Sequence, residues 1–183
     1  MKILAFTGMP CSGKSVAVKI AKDKNIPVIR MGDAVWEETK RQGLELTDKN
    51  VGFVANDMRK KQGKDIWAKK TVEMIKKLQK ADFVVIDGIR NSEEIGYFYN
   101  ALGTSFIVIA IRASEETRKQ RMFSRKRVDD MASAQAFRQR DKRELGWGLA
   151  RVIAEADIEI YNEGTIDEFI DTIKEVFTVF EKR

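Results

Sequence analysis

Hydrophobic positions in this chain gather into short continuous runs, separated by longer stretches with a helical period. The runs are Ile3-Leu4-Ala5-Phe6-Thr7, Pro27-Val28-Ile29, Phe83-Val84-Val85-Ile86, Phe106-Ile107-Val108-Ile109-Ala110-Ile111 and Ile158-Glu159-Ile160. A continuous apolar run of this length predicts a strand buried on both faces, as in a parallel sheet; Glu159 interrupts the last one. Between them, helices are predicted over 14–22, over 33–41 up to Gly43, from Thr47-Asp48 to near Gly63, and over 65–80. In the last of these Ile66, Trp67, Val72, Ile75 and Leu78 follow a period close to 3.6. Ser114-Glu115-Glu116 reads as a cap followed by acids in the first turn. Thr165-Ile166-Asp167-Glu168 has capping-box spacing and opens an amphipathic helix through Phe169, Ile173, Val176 and Phe180. Strands alternating with helices predict βαβ units and a mainly parallel α/β sheet. No linker or repeat divides the chain, so residues 1–183 read as a single domain. Its longest strand-free stretches, about 31–81 and 113–156, are the natural substrate-covering segments.

Composition narrows the chemistry. The 183 residues suit one domain, and 34 Lys+Arg against 28 Asp+Glu give a net charge of +6. That balance points to an anionic partner: nucleotide, nucleic acid or membrane surface. Histidine is absent, which excludes Ser-His and Cys-His nucleophile pairs and His-ligated metal sites. A single cysteine leaves neither a disulfide nor a Cys-cluster metal site. With no apolar run long enough to span a bilayer and no leader-like start, a cytoplasmic protein is expected.

The chemistry-bearing motif is Gly8-Met9-Pro10-Cys11-Ser12-Gly13-Lys14-Ser15, which fits G-x-x-x-x-G-K-[ST] between a predicted strand and a predicted helix. The glycines let backbone N–H groups turn toward phosphate oxygens, and the helix N-terminus adds partial positive charge. Lys14 is expected to reach the β- and γ-phosphates and the Ser15 hydroxyl to ligate Mg²⁺. Cys11 is either a thiol made acidic by the loop or a small residue that fits there. No glycine has an aspartate three positions before it and no N-K-x-D occurs, which argues against a GTPase switch. Asp87 closes the third strand beside the phosphate loop, where a Mg²⁺ partner belongs. Arg90 follows three residues on, and its planar fork suits phosphate.

Together these motifs resemble the adenylate kinase and nucleoside monophosphate kinase superfamily, and within it the archaeal adenylate-kinase-related proteins. The resemblance rests on T-G-M-P-x-S-G-K-S at 7–15, M-G-D at 31–33, V-I-D-G-I-R at 85–90, D-x-R-E-L-G-x-G at 141–148 and N-E-G-T at 162–165. The tail Ala156-Asp157-Ile158-Glu159-Ile160-Tyr161-Asn162 also resembles dephospho-coenzyme A kinases. What this implies is a three-layer P-loop NTPase fold with five parallel strands in the order 2-3-1-4-5 and a short arginine-rich lid over about 113–145. The acceptor-binding insertion would occupy about 31–81. The cofactors would be ATP and Mg²⁺, and the partners a nucleotide donor and a phosphate-bearing small acceptor. AMP is the first guess, with dephospho-coenzyme A the runner-up. The resemblance assigns Met31, Gly32, Asp33, Trp36, Arg90 and Arg138 to the acceptor, and Asn162, Gly164 and Thr165 to the adenine of ATP.

Two departures stand out. Trp36 occupies the place where adenylate kinases carry an acceptor-holding arginine, and Asp87-Gly88-Ile89-Arg90 is one residue shorter than D-G-F-P-R. Arg30 or Arg59 could substitute. Trp36 either stacks on a base or fills the helix interface, the commoner use of such a tryptophan. Asp33 either helps fix the acceptor or caps the following helix.

Arg118, Arg121 and Arg125 share one helix face, with Arg118 on the ATP side, and Arg127-Val128-Asp129-Asp130 follows. R-x-x-x-R at 121–125 and R-x-D-D at 127–130 match the lid of nucleoside monophosphate kinases, whose arginines close on the transferring phosphoryl group. A solvated basic face, or a patch for RNA phosphates, is the alternative, and the adjacent acids count against RNA. An RNA-associated ATPase keeping the kinase fold is the corresponding second function. Glu144-Leu145-Gly146-Trp147-Gly148 breaks one helix before the next, and Trp147 either closes the site or staples the lid to the core.

Overall fold

A computed structural model describes residues 1–78, 81–124 and 134–182. Among them, β1 (Lys2–Thr7) leads through α1 (Lys14–Asp23) to β2 (Val28–Arg30). Three helices follow, α2 (Met31–Arg41), α3 (Asp48–Gln62) and α4 (Ile66–Lys77), then β3 (Phe83–Asp87) and α5 (Ser92–Leu102). A 3₁₀ turn precedes β4 (Phe106–Arg112), which leads to α6 (Glu115–Ser124), α7 (Ala134–Gly146), α8 (Leu149–Ala154), β5 (Ile158–Tyr161) and α9 (Ile166–Lys182). The five strands form one sheet in the order β2-β3-β1-β4-β5, and every pairing is parallel.

The continuous apolar runs explain the layers. Successive strand residues face opposite sides of the sheet. Ile3, Ala5, Val84, Ile86, Val108 and Ala110 face one core, shared with Val35, Val54, Trp67, Phe98 and Val152 from α2, α3, α4, α5 and α8. Leu4, Phe6, Val85, Ile109 and Ile111 face the other, shared with Ala17 and Ile20 of α1 and Phe169, Ile173 and Phe177 of α9. Phe177 lies 6.0 Å from both Phe6 and Phe83, ring centre to ring centre. Each fully buried side chain of this kind contributes about 1.5–3 kcal/mol.

The helix starts follow local chemistry. Thr47 accepts a hydrogen bond from the Asn50 N–H at 3.2 Å, and Thr165 and Glu168 exchange capping-box bonds. α5 is an element the hydrophobic pattern does not predict. Its buried apolar residues are only Ile95 and Phe98, too few to set a period, and its start is fixed instead by Asn91, which accepts from the Glu94 N–H at 2.8 Å. α4 ends at Lys77 rather than 80, where residues 79–80 lie outside the described set. Among the described residues no helix is long and apolar enough to cross a membrane.

Candidate active site

The phosphate loop spans the carboxyl end of β1 and the start of α1. Gly8 (φ 140°) and Gly13 (φ 119°) adopt backbone conformations that side chains disfavour, and space forbids one as well. A Cβ at Gly8 would collide with the Ile111 carbonyl oxygen, and one at Gly13 with Asn162 Nδ2 and the Phe169 ring. The Ser12 N–H closes a turn onto the Met9 oxygen at 3.1 Å, and Cys11, half-buried, takes a positive φ of 64°. The N-cap residue of α1 is Gly13, which has no side chain to cap the helix, an arrangement suited to an anion. Lys14 Nζ donates to the main-chain oxygens of Gly8 and Met9. Burial pulls its pKa below the ordinary lysine value, opposed by the Asp87 and Glu144 charges.

Distant residues fasten the loop. Buried Asn162 donates from Nδ2 to the Ser12 oxygen at 2.8 Å, and Arg121 bonds the Ser12 oxygen and both oxygens of Asn162. Arg118 donates to the Pro10 oxygen at 3.1 Å, forms a two-pronged pair with Asp141 at 3.0 and 2.6 Å, and lies over Phe137.

The loop opens into a cleft of about 450 Å³, a size suited to small ligands. Among the described residues, six basic ones line it, Lys14, Arg30, Arg59, Arg90, Arg140 and Arg143, against four acidic ones, Asp33, Asp48, Asp87 and Glu144. Asp87 is half-buried, and its buried Oδ1 has no hydrogen-bond partner. Burial pushes its carboxyl above the usual range, while Lys14, Arg90 and Arg30 pull it down. An orphaned carboxylate oxygen beside Lys14 and Ser15 fits a hard divalent cation. Among the described residues no group of three or more carboxylate or thiol side chains could hold a metal alone. Mg²⁺ here would take its other ligands from phosphate oxygens and water, its usual habit.

Glu144 sits among the cations, 3.6 Å from Arg90 Nε and 3.3 Å from Arg140 Nε. Burial alone would raise its carboxyl, but Arg90, Arg140 and Lys14 together hold it below the usual range. Arg90 also donates from Nη1 to the Gly88 oxygen at 2.7 Å, and its N–H to Glu94 at 2.7 Å. Glu94, fully buried, holds Arg59 Nη2 at 3.0 Å. Arg143 bridges α7 to α3 by pairing with Asp48 at 2.9 and 2.8 Å.

Of the residues singled out from sequence, Pro10, Cys11, Gly13, Lys14, Ser15, Gly32, Asp33, Trp36, Asp87 and Arg90 line the cleft. The helix-interface reading of Trp36 is corrected: α2 buries Met31, Ala34, Val35, Glu38 and Thr39, and the indole beside that face is 40% exposed. Both proposed substitutes for the missing arginine, Arg30 and Arg59, line the cleft. Asp33 pairs with Arg30 at 2.8 Å in the first turn of α2, whose start has no side-chain cap. Met31 packs into the core and Arg138 is exposed, and neither lines the cleft. Gly164 and Thr165 stand at the capped start of α9. Arg125 and Arg127, with Asp129 and Asp130, lie outside the described residues. Arg140, Arg143, Asp48 and Glu94 are cleft or supporting residues to which the sequence assigned no chemistry. Part of their signal lay in the 141–148 motif, while Trp147, expected to close the site or staple the lid, does line the cleft and packs on the core.

Fold and site together define a P-loop kinase-like domain. A family model described as an AAA domain matches residues 7–138. A UPF0200 protein of Methanosarcina barkeri is 44% identical over 178 residues, covering 97% of this chain and 95% of that protein. The UPF0200/UPF0201 protein of Archaeoglobus fulgidus is 42% identical over all 183 residues, and the chain spans 57% of its length. The chain belongs to the archaeal UPF0200 family, within the AAA-domain group. A gluconokinase structure from Sinorhizobium meliloti superposes with a TM-score of 0.56 at 16% identity, over 94% of this chain and 89% of that one, a likeness of fold.

Proposed function

We propose that the chain is an ATP-dependent phosphotransferase of the adenylate-kinase-related type, moving the γ-phosphate of ATP to a phosphate-bearing, nucleotide-like acceptor, with AMP the first candidate. The observation that carries this reading is the convergence of Lys14, the orphaned Asp87 carboxylate and a surplus of guanidinium groups on one cleft. Phosphoryl transfer asks little covalent chemistry of a protein; it asks for positioned cations and excluded water. Lys14 and the loop amides orient the donor phosphates. Ser15 and Asp87 would hold Mg²⁺, which offsets phosphate charge when bound. Asn162, Gly164, Thr165 and Arg118 serve the ATP side, and Arg121, with Arg125 and Arg127, the transferring group. Gly32, Asp33 and Trp36 face the acceptor. An acceptor phosphate oxygen is already deprotonated at pH 7, so the absence of histidine is no obstacle. The reading places the protein in the cytoplasm, where ATP is available.

The test is ADP release from Mg-ATP with AMP, other nucleoside monophosphates, dephospho-coenzyme A or RNA added in turn. AMP is expected to raise the rate above the no-acceptor level. If no small acceptor raises it, the kinase reading is wrong, and stimulation by RNA alone would indicate a nucleotide switch instead.

A further inference from the structure

Two guanidinium groups in the cleft have unused hydrogen-bonding edges, and both stand beside the same indole. Arg59, from α3, is 8% exposed. Its Nη2 is engaged by Glu94, while Nε and Nη1 are buried and bond nothing. Arg143, from α7, gives Nη1 and Nη2 to Asp48 and leaves a buried Nε without a partner. Their Cζ atoms lie 4.6 and 5.7 Å from the centre of the Trp147 ring. All three residues line the cleft. Gly52 of α3 makes the approach possible: a Cβ there would stand 3.2 Å from Arg143 Nε.

Arg90, to which the adenylate kinase resemblance gives the acceptor phosphate, is placed differently. Its Nη1 holds the Gly88 oxygen and its Nε faces Glu144. Buried N–H groups without acceptors are costly, and a planar guanidinium edge matches an oxyanion in geometry and charge. Burial also pulls Arg59 below the ordinary arginine pKa, against the Glu94 charge, so a further anion there would be favoured.

We propose that Arg59 and Arg143, framed by Trp147, form the receptor for the anionic group of the acceptor, and that Arg90 braces the cleft wall. The substrate is then itself an oxyanion, a phosphate monoester rather than a neutral polyol or nucleoside. This assignment rests on the phosphotransfer reading for the acceptor's role, but anion binding needs no turnover. Both guanidinium groups lie against the indole, so occupancy of their unbonded edges shifts Trp147 and changes its emission.

The test uses the full chain with its three tryptophans in place, saturated with Mg²⁺ and a non-hydrolysable ATP analogue to fill the phosphate loop, and binding is read by titration calorimetry and by tryptophan emission. AMP, inorganic phosphate and adenosine are titrated separately. AMP and phosphate are expected to change the emission saturably, and adenosine to bind at least about tenfold more weakly than AMP. Arg59→Met with Glu94→Gln, which removes the buried pair together, and Arg143→Gln alone should each weaken AMP at least about tenfold. Arg90→Gln should change AMP affinity by less than about threefold. Wild-type affinity in both receptor variants, loss of binding in Arg90→Gln instead, or no anion response at all would overturn the assignment. If circular dichroism shows the double variant unfolded, Arg143→Gln decides. AMP bound through Arg59 and Arg143 without acceptor-dependent ADP release would sink the kinase reading and leave the receptor standing.

Discussion

Arg118 offers the sharpest test of how the phosphate loop is held. Its guanidinium joins three elements: α6, which carries it, the loop through the Pro10 oxygen, and α7 through Asp141. The two side chains are 6% and 13% exposed, so the pair sits where water screens little. Arg118→Leu removes the cation and strands the Asp141 carboxylate. Breaking a buried pair from one side costs about 3–5 kcal/mol. The lost bond to Pro10 adds about 1 kcal/mol. Asp141→Leu should cost about 3–5 kcal/mol, since the cation left behind keeps Pro10 and the Phe137 face. With both replaced by leucine no buried charge is left alone, and the cost should fall to about 0–2 kcal/mol.

The double variant should therefore be more stable than either single one, with a coupling of about 5 kcal/mol or more. For a chain of this size Arg118→Leu should lower Tm by on the order of 10 °C. Urea unfolding of the four proteins, followed by circular dichroism at pH 7, measures the cycle. If the two single effects add to within about 0.5 kcal/mol, the pair is not the tie described.

Two further substitutions probe charge. Asp87 has a raised folded pKa, so its contribution to stability falls as pH rises from the ordinary carboxylate value through the folded one, and stays low at neutral pH. Asp87→Asn should raise the Tm of nucleotide-free protein at pH 7 while removing the Mg²⁺-dependent part of ATP binding; an unchanged or lower Tm refutes the burial argument. Glu38 is the opposite case. Hydrogen bonds from Arg41 and Gln42 hold its carboxyl at about 2 against an ordinary 4.5, so its stabilisation is complete above 4.5 and lost as pH falls toward 2. Glu38→Gln should flatten the acid limb of the Tm profile in that window, and a limb as steep as wild type would contradict it.

What the sequence disclosed, and what it withheld, divides along one physical line. The phosphate loop was readable because its parts are contiguous: a buried strand, two glycines under backbone constraint and a helix start. Asp87 was readable because a strand end has a fixed place in a parallel sheet. The strand order came with the family resemblance rather than from periodicity. For Trp36 the sequence leaves a base-stacking and a helix-interface reading open, because a helical period gives a buried face but not what stands beside it, and here that neighbour is the cleft. Arg118 shares a helix face with Arg121, yet its partner lies 23 residues onward, beyond any local pattern. Arg59 and Arg143 are 84 residues apart and meet only at Trp147, because α3 and α7 converge there.

The carboxylates of the cleft bear on which acceptor the proposed reaction can use. An alcohol acceptor needs a base to take its proton; a phosphate oxygen does not. Of the four acids that line the cleft among the described residues, Asp33 is paired with Arg30, Asp48 with Arg143, and Glu144 with Arg90 and Arg140. Against the opposing effect of burial, Arg143 holds Asp48, and Arg90 and Arg140 hold Glu144, below the usual carboxylate range, which makes these two weak bases. Among these four, Asp87 combines a raised pKa with an unbonded oxygen, and its place in the cleft with Lys14 and Ser15 suits the metal. A carboxylate that binds Mg²⁺ is no longer a ready proton acceptor. Among the described residues the cleft acids are thus engaged with cations while buried edges of Arg59 and Arg143 bond nothing, and a cleft so arranged favours an acceptor that brings its own negative charge and needs no base.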